Sequence, residues 1–149
     1  MVFEVNNFKE VIELIPKLKK SVELAVNREL EKKNQKEKII NMDRRLIRKA
    51  FSYLQGKWTI DILFIIFFLE NPYFNEIRKS LPELNSRTLT TRLKHLEKEG
   101  LINRNVHTGK PVQVSYTMTP FGKNLTYLAF PPLIYIIMER PEEFSNKFL

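Results

Sequence analysis

From Phe8 to about Lys33 the apolar residues Phe8, Val11, Ile12, Ile15, Leu18, Val22, Val26 and Leu30 recur at steps of three and four. That is the period of a helix with one apolar stripe. One long helix, or two bent at Pro16, is expected, since proline lacks an N–H and crowds the preceding turn; Asn7 is a candidate N-cap. The segment "EKKNQKEK", 31–38, is too charged to pack and reads as a connector or a solvated helix surface. A second stripe, Ile39, Met42, Leu46, Ala50, Phe51 and Leu54, is stopped by Gly56. Next, "KWTIDILFIIFFLE", 57–70, is apolar almost all round, and its length favours a buried helix over a buried strand.

Asn71-Pro72 punctuates the chain, and "YFNEIRKSLPEL" predicts a short helix with Phe74, Ile77 and Leu81 inward, ended ahead of Pro82. In "NSRTLTTRLKHLEKEGLINR", 85–104, Asn85 or Ser86 can cap, Leu89, Leu93 and Leu96 face one way, and Gly100 closes the helix. Alternation in "LINRNV", 101–106, and "VQVSYTM", 112–118, predicts two short strands joined by the loop "HTGKP". Thr119-Pro120 should cap and start the helix "FGKNLTYLAF"; Pro131-Pro132 then precedes an apolar "LIYIIM", and the polar tail "ERPEEFSNKFL" should fray.

Helix, short helix, tight turn, helix and hairpin is the order of a winged helix-turn-helix. The fold class is therefore mainly α with a small β-hairpin wing (α+β). Three parts are expected: an N-terminal helical extension, 1–52, serving dimerisation or partner binding; a winged helix-turn-helix domain, 53–127; and a C-terminal helix and tail, 128–149, whose apolar spacing suits a dimer core. A major groove about 12 Å wide accepts one helix, here about 85–99, while the wing, about 101–118, reaches flanking DNA.

With the leucines buried, the other face of that helix carries Ser86, Arg87, Thr88, Thr91, Arg92, Lys94 and His95. Hydroxyls and cations donate to phosphate, arginine can pair with guanine, and threonine methyls can meet thymine methyls. Ser86, Arg87, Thr88 and Thr91, near the helix start, are the expected base readers, and Lys94 and His95 the backbone contacts. Arg92 is open between DNA and the edge of the core, where it would pair with a carboxylate such as Glu76. At the wing, Lys110 and His107 flank Gly109. A polar face alone is ordinary for a surface helix. What distinguishes this one is that no acid occurs from Asn85 to Lys94, although acids near a helix start are favoured by its dipole.

Composition narrows the picture. A net charge of +8 suits a polyanionic partner, and the four glycines agree with a helix-rich chain. There is no cysteine, hence no disulfide, thiolate zinc site or thiol nucleophile. The longest apolar run, "ILFIIFFL", is far short of the roughly 20 residues that span a bilayer, and the N-terminus has no signal-peptide layout. The expected location is cytoplasmic, on the nucleoid. No P-loop or dinucleotide fingerprint occurs, and His95 and His107 have no acid at relay or metal-ligand spacing. No enzyme activity, catalytic residue, metal or cofactor is therefore expected.

"GKWTIDIL", 56–63, "NSRTLTTRLKHLEKEGLINR", 85–104, and "VSYTMTPFGKNL", 114–125, resemble three successive landmarks of the HxlR-type winged-helix transcription regulators, relatives of the MarR group. The resemblance covers about Tyr53 to Tyr127. It implies a homodimer that places two recognition helices in successive major grooves of a pseudo-palindrome. It also implies Lys57 as a phosphate contact beside an anchoring Trp58, a recognition pattern of Arg87, Thr90 and Arg92, and Gly122 as the glycine opening the last helix. Departures are equally informative. Family members that sense oxidants use a cysteine ahead of the Gly-Lys-Trp segment, and this chain has none. Pro111-Val112-Gln113 stands where the family's wing usually carries an arginine, and the leading helices are longer than usual.

The expected function is sequence-specific binding of double-stranded DNA by a homodimeric transcription regulator. The competing readings are a sequence-independent architectural DNA-binding protein and a winged-helix protein-interaction module that uses the N-terminal helices as its partner surface. A membrane partner is not expected, since Glu10, Glu13, Glu23 and Glu29 interrupt the first helix.

Overall fold

The computed structural model describes residues 8–31, 44 and 46–144. Contacts divide the chain into two compact units, one of Lys49–Leu128, the other of Met1–Arg48 with Ala129–Leu149. Helix α1 is Lys9–Glu31 and runs continuously through Pro16. Asn7, most of the 31–38 segment, Ile39 and Met42 lie outside the described residues. Helix α2 covers 46–52. Helix α3 is Thr59–Leu69, α4 Phe74–Ser80 and α5 Ser86–Lys98, followed by β1, Ile102–His107, β2, Gln113–Met118, and helices α6, Pro120–Glu139, and α7, Pro141–Phe144.

In the Lys49–Leu128 unit, α3 starts two residues later than the apolar run. Gly56 at φ +106° and Trp58 at φ +76° make a left-handed turn, which α-helical backbone cannot include. The side chain of Thr59 closes it, donating to the Gln55 carbonyl at 2.9 Å. Only one face of α3 is in the core: Ile62, Leu63 and Ile66 are buried, while Ile60 and Leu69 remain half exposed. Against the buried face pack Ile77, Leu81 and Leu84, the stripe Leu89, Leu93 and Leu96, and then Leu101, Ile102 and Tyr116. Full burial of each such aliphatic side chain contributes about 1.5–3 kcal/mol, so this cluster is the main source of the unit's stability.

The strands pair antiparallel from Ile102↔Met118 to His107↔Gln113. A single bridge, Tyr73↔Ser115, and a Tyr116 N–H to Pro72 carbonyl bond of 2.9 Å tie the hairpin to the α3–α4 turn. Gly100, at φ +71°, turns the chain from α5 into β1. Thr119 caps α6, accepting the Gly122 N–H at 2.9 Å and donating to the Gly100 carbonyl at 2.6 Å. Gly122 lies so close to Leu101 that a Cβ there would fall on the Leu101 carbonyl.

Pro131 and Pro132 do not divide the last helix; α6 passes through both. Proline's fixed φ suits a helix, and the missing N–H groups free only the carbonyls one turn earlier, at Tyr127 and Leu128. Those residues are 53% and 72% exposed, which leaves water able to satisfy them. Nor is the tail unstructured as far as Phe144: α7 forms, with Arg140 donating to Glu143 at 3.0 Å. In the unit containing α1, Phe8 stacks on Phe130 at 5.6 Å and Ile134 is fully buried. Leu14, Leu18 and Val22 on α1 are each more than half exposed.

Gly122→Ala should destabilise the protein by about 1–3 kcal/mol, because the new methyl meets backbone and not a movable side chain. Its thermal midpoint should fall by several degrees. Gly109→Ala is the control: its nearest neighbour would be 3.7 Å away, an ordinary contact. Equal melting of the two variants would contradict a tight approach of residue 122 to Leu101.

Candidate nucleic-acid interface

Helix α5 is fixed on one side and bare on the other. Asn85 is its N-cap, with Oδ1 accepting the Thr88 N–H at 2.8 Å. Leu89, Leu93 and Leu96 are at most 1% exposed, so the helix is locked against rotation about its axis. Ser86, Arg87, Thr90, Thr91 and Lys94 are exposed, whereas Thr88, Arg92 and His95 are half-buried at its flank. Its first turn holds no acid. Of the two acids near its end, Glu99 pairs with Lys49 at 3.7 Å.

The threonines are already partly occupied. Thr91 donates its hydroxyl hydrogen to the Arg87 carbonyl at 3.0 Å, and Thr90 donates to the Ser86 carbonyl at 2.8 Å. In this rotamer each presents a methyl and an acceptor lone pair to the outside, which suits a thymine methyl or a base amino group better than a phosphate oxygen. Ser86 sits 3.4 Å from an Arg78 Nη1 on α4, so a second cation stands beside the helix start.

Arg92 lies elsewhere. Its guanidinium rests over Gly56 and takes the space that a side chain there would need: a Cβ on residue 56 would come 2.6 Å from Nη1. It does not pair with Glu76, whose carboxylate accepts the Tyr73 N–H at 2.7 Å and so caps α4. Of the two places open to Arg92 from sequence, the edge of the core is the one it occupies. The guanidinium thus lies against Gly56, in the left-handed turn before α3.

That turn carries Lys57 and Trp58. The indole packs against the core, and Lys57 is exposed with its ammonium 4.9 Å from the indole centroid. A cation resting on indole is attracted to the ring face yet keeps donors free. Lys110 is exposed in the 108–112 loop at the wing tip. His107 is anchored at the tip's base, Nε2 2.9 Å from the buried Ser115 hydroxyl and its ring edge-on to Tyr73.

Between α5 and the wing runs a groove of about 850 Å³, lined by Thr90 and Lys94 on the helix, Arg104 and Tyr116 on the strands, and Pro111 to Gln113 at the tip. Arg104 and Tyr116 are directly paired across the hairpin, which sets the guanidinium near the phenol. Burial raises the Tyr116 pKa above the usual phenol value, against the opposing pull of Arg104, so the ring stays neutral. Sequence reasoning misses Arg104 and Arg78. The signal for Arg104 is in the alternation: it shares a strand face with Ile102, which faces the core and the helix.

Among the described residues, no three His, Asp or Glu side chains are grouped to hold a metal, and no helix is long and apolar enough to cross a membrane.

Residues 53–138, more than half the chain, match the HxlR-like helix-turn-helix family. The uncharacterized HTH-type transcriptional regulator YdeP of Bacillus subtilis is 35% identical over 101 residues, covering 68% of this chain and 74% of that one. Among solved structures, a transcriptional regulator of the MarR family from Enterococcus faecalis superposes with TM-score 0.54 at 27% identity, covering 76% of this chain and 96% of that one. The reduced form of the regulator YodB from B. subtilis superposes with the same score, TM-score 0.54, at 29% identity, covering 60% and 86%. The hairpin beside a capped helix with a bare cationic face is thus a winged helix-turn-helix, and the chain belongs to the HxlR-like helix-turn-helix family of transcriptional regulators.

Proposed function

We propose that the protein binds double-stranded DNA in a sequence-dependent way as a homodimer, with α5 in the major groove and the wing on flanking DNA. The observation that carries this reading is the exposed meridian of α5, Arg87, Thr91 and Lys94, on a helix whose opposite side is anchored by three buried leucines. Arg87, in the first turn, is the base reader; Lys94, two turns on, is a phosphate contact. Thr91 contributes a methyl. Ser86 and Thr88 support the helix start, and His95, Lys57 and Lys110 supply peripheral contacts to backbone. Arg92 acts by holding the helix in place.

A homodimer is favoured by apolar side chains that the single chain leaves open: Leu14, Leu18 and Val22 on α1, and Tyr135, Ile136 and Met138 on α6, all more than 40% exposed. Such stripes on helices are suited to packing against helices of a second copy. The same α1 surface is the place for another protein partner if the dimer uses α6 alone. Binding DNA also places the protein in the cytoplasm, on the nucleoid. Because the chain has no cysteine, any effector response runs through something other than a thiol.

Three measurements test this reading. Binding to a duplex selected from a random pool should exceed binding to random duplex by roughly 10³ or more at physiological salt; a ratio near one would make the protein an architectural binder. Arg87→Ala should cost about 1–3 kcal/mol on the selected duplex and little on random DNA; equal loss on both would remove Arg87 from base reading. Light scattering at micromolar concentration should give twice the 17.8 kDa chain mass. A monomer would overturn the homodimer.

A further inference from the structure

We propose that the groove between α5 and the wing seats one phosphate of the DNA backbone, held by Arg104 from β1 together with Lys94 from α5, and that Tyr116 is the residue that positions Arg104. This rests on the DNA-binding reading above and assigns a residue to it that the helix alone does not supply.

The pleat of the hairpin sets where Arg104 points. Arg104 is on the face that carries Ile102 and Tyr116, so its side chain leaves the sheet on the side of α5, exposed at the groove. There it forms no ion pair with any described carboxylate and lies beside the phenol of its direct cross-strand partner, Tyr116, which lines the same groove. An arginine restrained in this way loses less rotamer freedom on meeting a ligand than a free surface side chain. Tyr116 is itself fixed, only 6% exposed and with its backbone N–H bonded to Pro72. Lys94, exposed on the facing helix, lines the same groove.

The groove's acids say what kind of anion fits. Glu76 and Glu97 also line it. Glu76 is engaged with the Tyr73 N–H. Glu97 lies close enough to act on Tyr116 electrostatically. Two cations against two carboxylates give no net field to draw in a free anion. They suit a phosphate delivered at a fixed place by a duplex already docked on α5, where a planar guanidinium can pair two phosphate oxygens. A helix lying in a major groove has a backbone strand along each side, so the space between α5 and the wing is where one strand must pass.

The test is the salt dependence of binding to the selected duplex, with folding checked by thermal melting. Arg104→Ala should weaken selected and random duplexes by the same factor. It should also make the slope of log K against log salt shallower by about 0.9 per bound protomer. Arg104→Lys should keep the wild-type slope with weaker binding. Tyr116→Phe should likewise keep the slope while losing affinity, since the charge remains but its restraint is gone. An unchanged slope in a folded Arg104→Ala protein overturns the proposal. Independently of any variant, neutral methylphosphonate substitutions walked along the duplex should reveal a sensitive phosphate for the wild-type protein, and that sensitivity should vanish in Arg104→Ala; an identical profile for both proteins overturns the seat. Failure of the wild type to bind either duplex would instead refute DNA binding itself.

Discussion

The carbonyl of Leu101 is the joint on which the winged unit is built. It accepts the Thr119 N–H at 3.0 Å and lies against Gly122, while the Leu101 N–H closes α5 on the Leu96 carbonyl at 2.9 Å. One residue therefore fixes the end of α5, the start of β1 and the first turn of α6. Only glycine at 122 allows that approach, and only a residue able to turn left-handed at 100 brings the chain to it. If this joint opened, the hairpin would no longer have a set angle to the helix, and a groove between them would have no defined width.

A defined width matters because recognition by hydrogen bonds tolerates little play: donors misplaced by an ångström lose most of their directionality. The unit meets this with restraints that each leave the outer face untouched. The leucine stripe fixes rotation of α5, Asn85 fixes its first turn, and Arg92 on Gly56 ties its flank to the turn before α3. The hairpin is held in the same way, by Tyr116 and Ser115 to Pro72 and Tyr73 just before α4. Polar side chains on the inner edges thus do positioning, and those on the outer edge are left for the partner.

Much of this is legible in the chain because each element carries a local signature. Periodicity locates α5 to within a residue of each end, Gly100 marks its stop, and Thr119-Pro120 marks the start of α6. What the sequence leaves open depends mainly on neighbours that are remote along the chain. Arg92 stays open in the sequence because Gly56, the residue its guanidinium lies against, is thirty-six positions earlier. Pro131-Pro132 lie inside a continuous α6, and the residues one turn earlier, whose carbonyls lose their donors, are exposed. Trp58 takes a left-handed backbone, uncommon for a bulky residue, and nothing in a run of apolar residues announces it. Arg104 is a single cation in a short strand, and its relation to the helix exists only once the register is known.

The absence of acid at the start of α5 has an energetic logic that the cap makes visible. An acidic residue in the first turn would add about 0.3–1 kcal/mol through the helix dipole. Asn85 recovers a comparable amount, since a neutral cap stabilises by about 0.5–2 kcal/mol relative to alanine through the hydrogen bond alone. The helix is thus terminated by a group that satisfies a backbone donor without placing negative charge there. An aspartate at 85 would serve the fold at least as well but would repel the phosphates that Arg87 has to approach. The choice of amide over carboxylate separates what the fold requires from what the partner requires, and it does so at one residue.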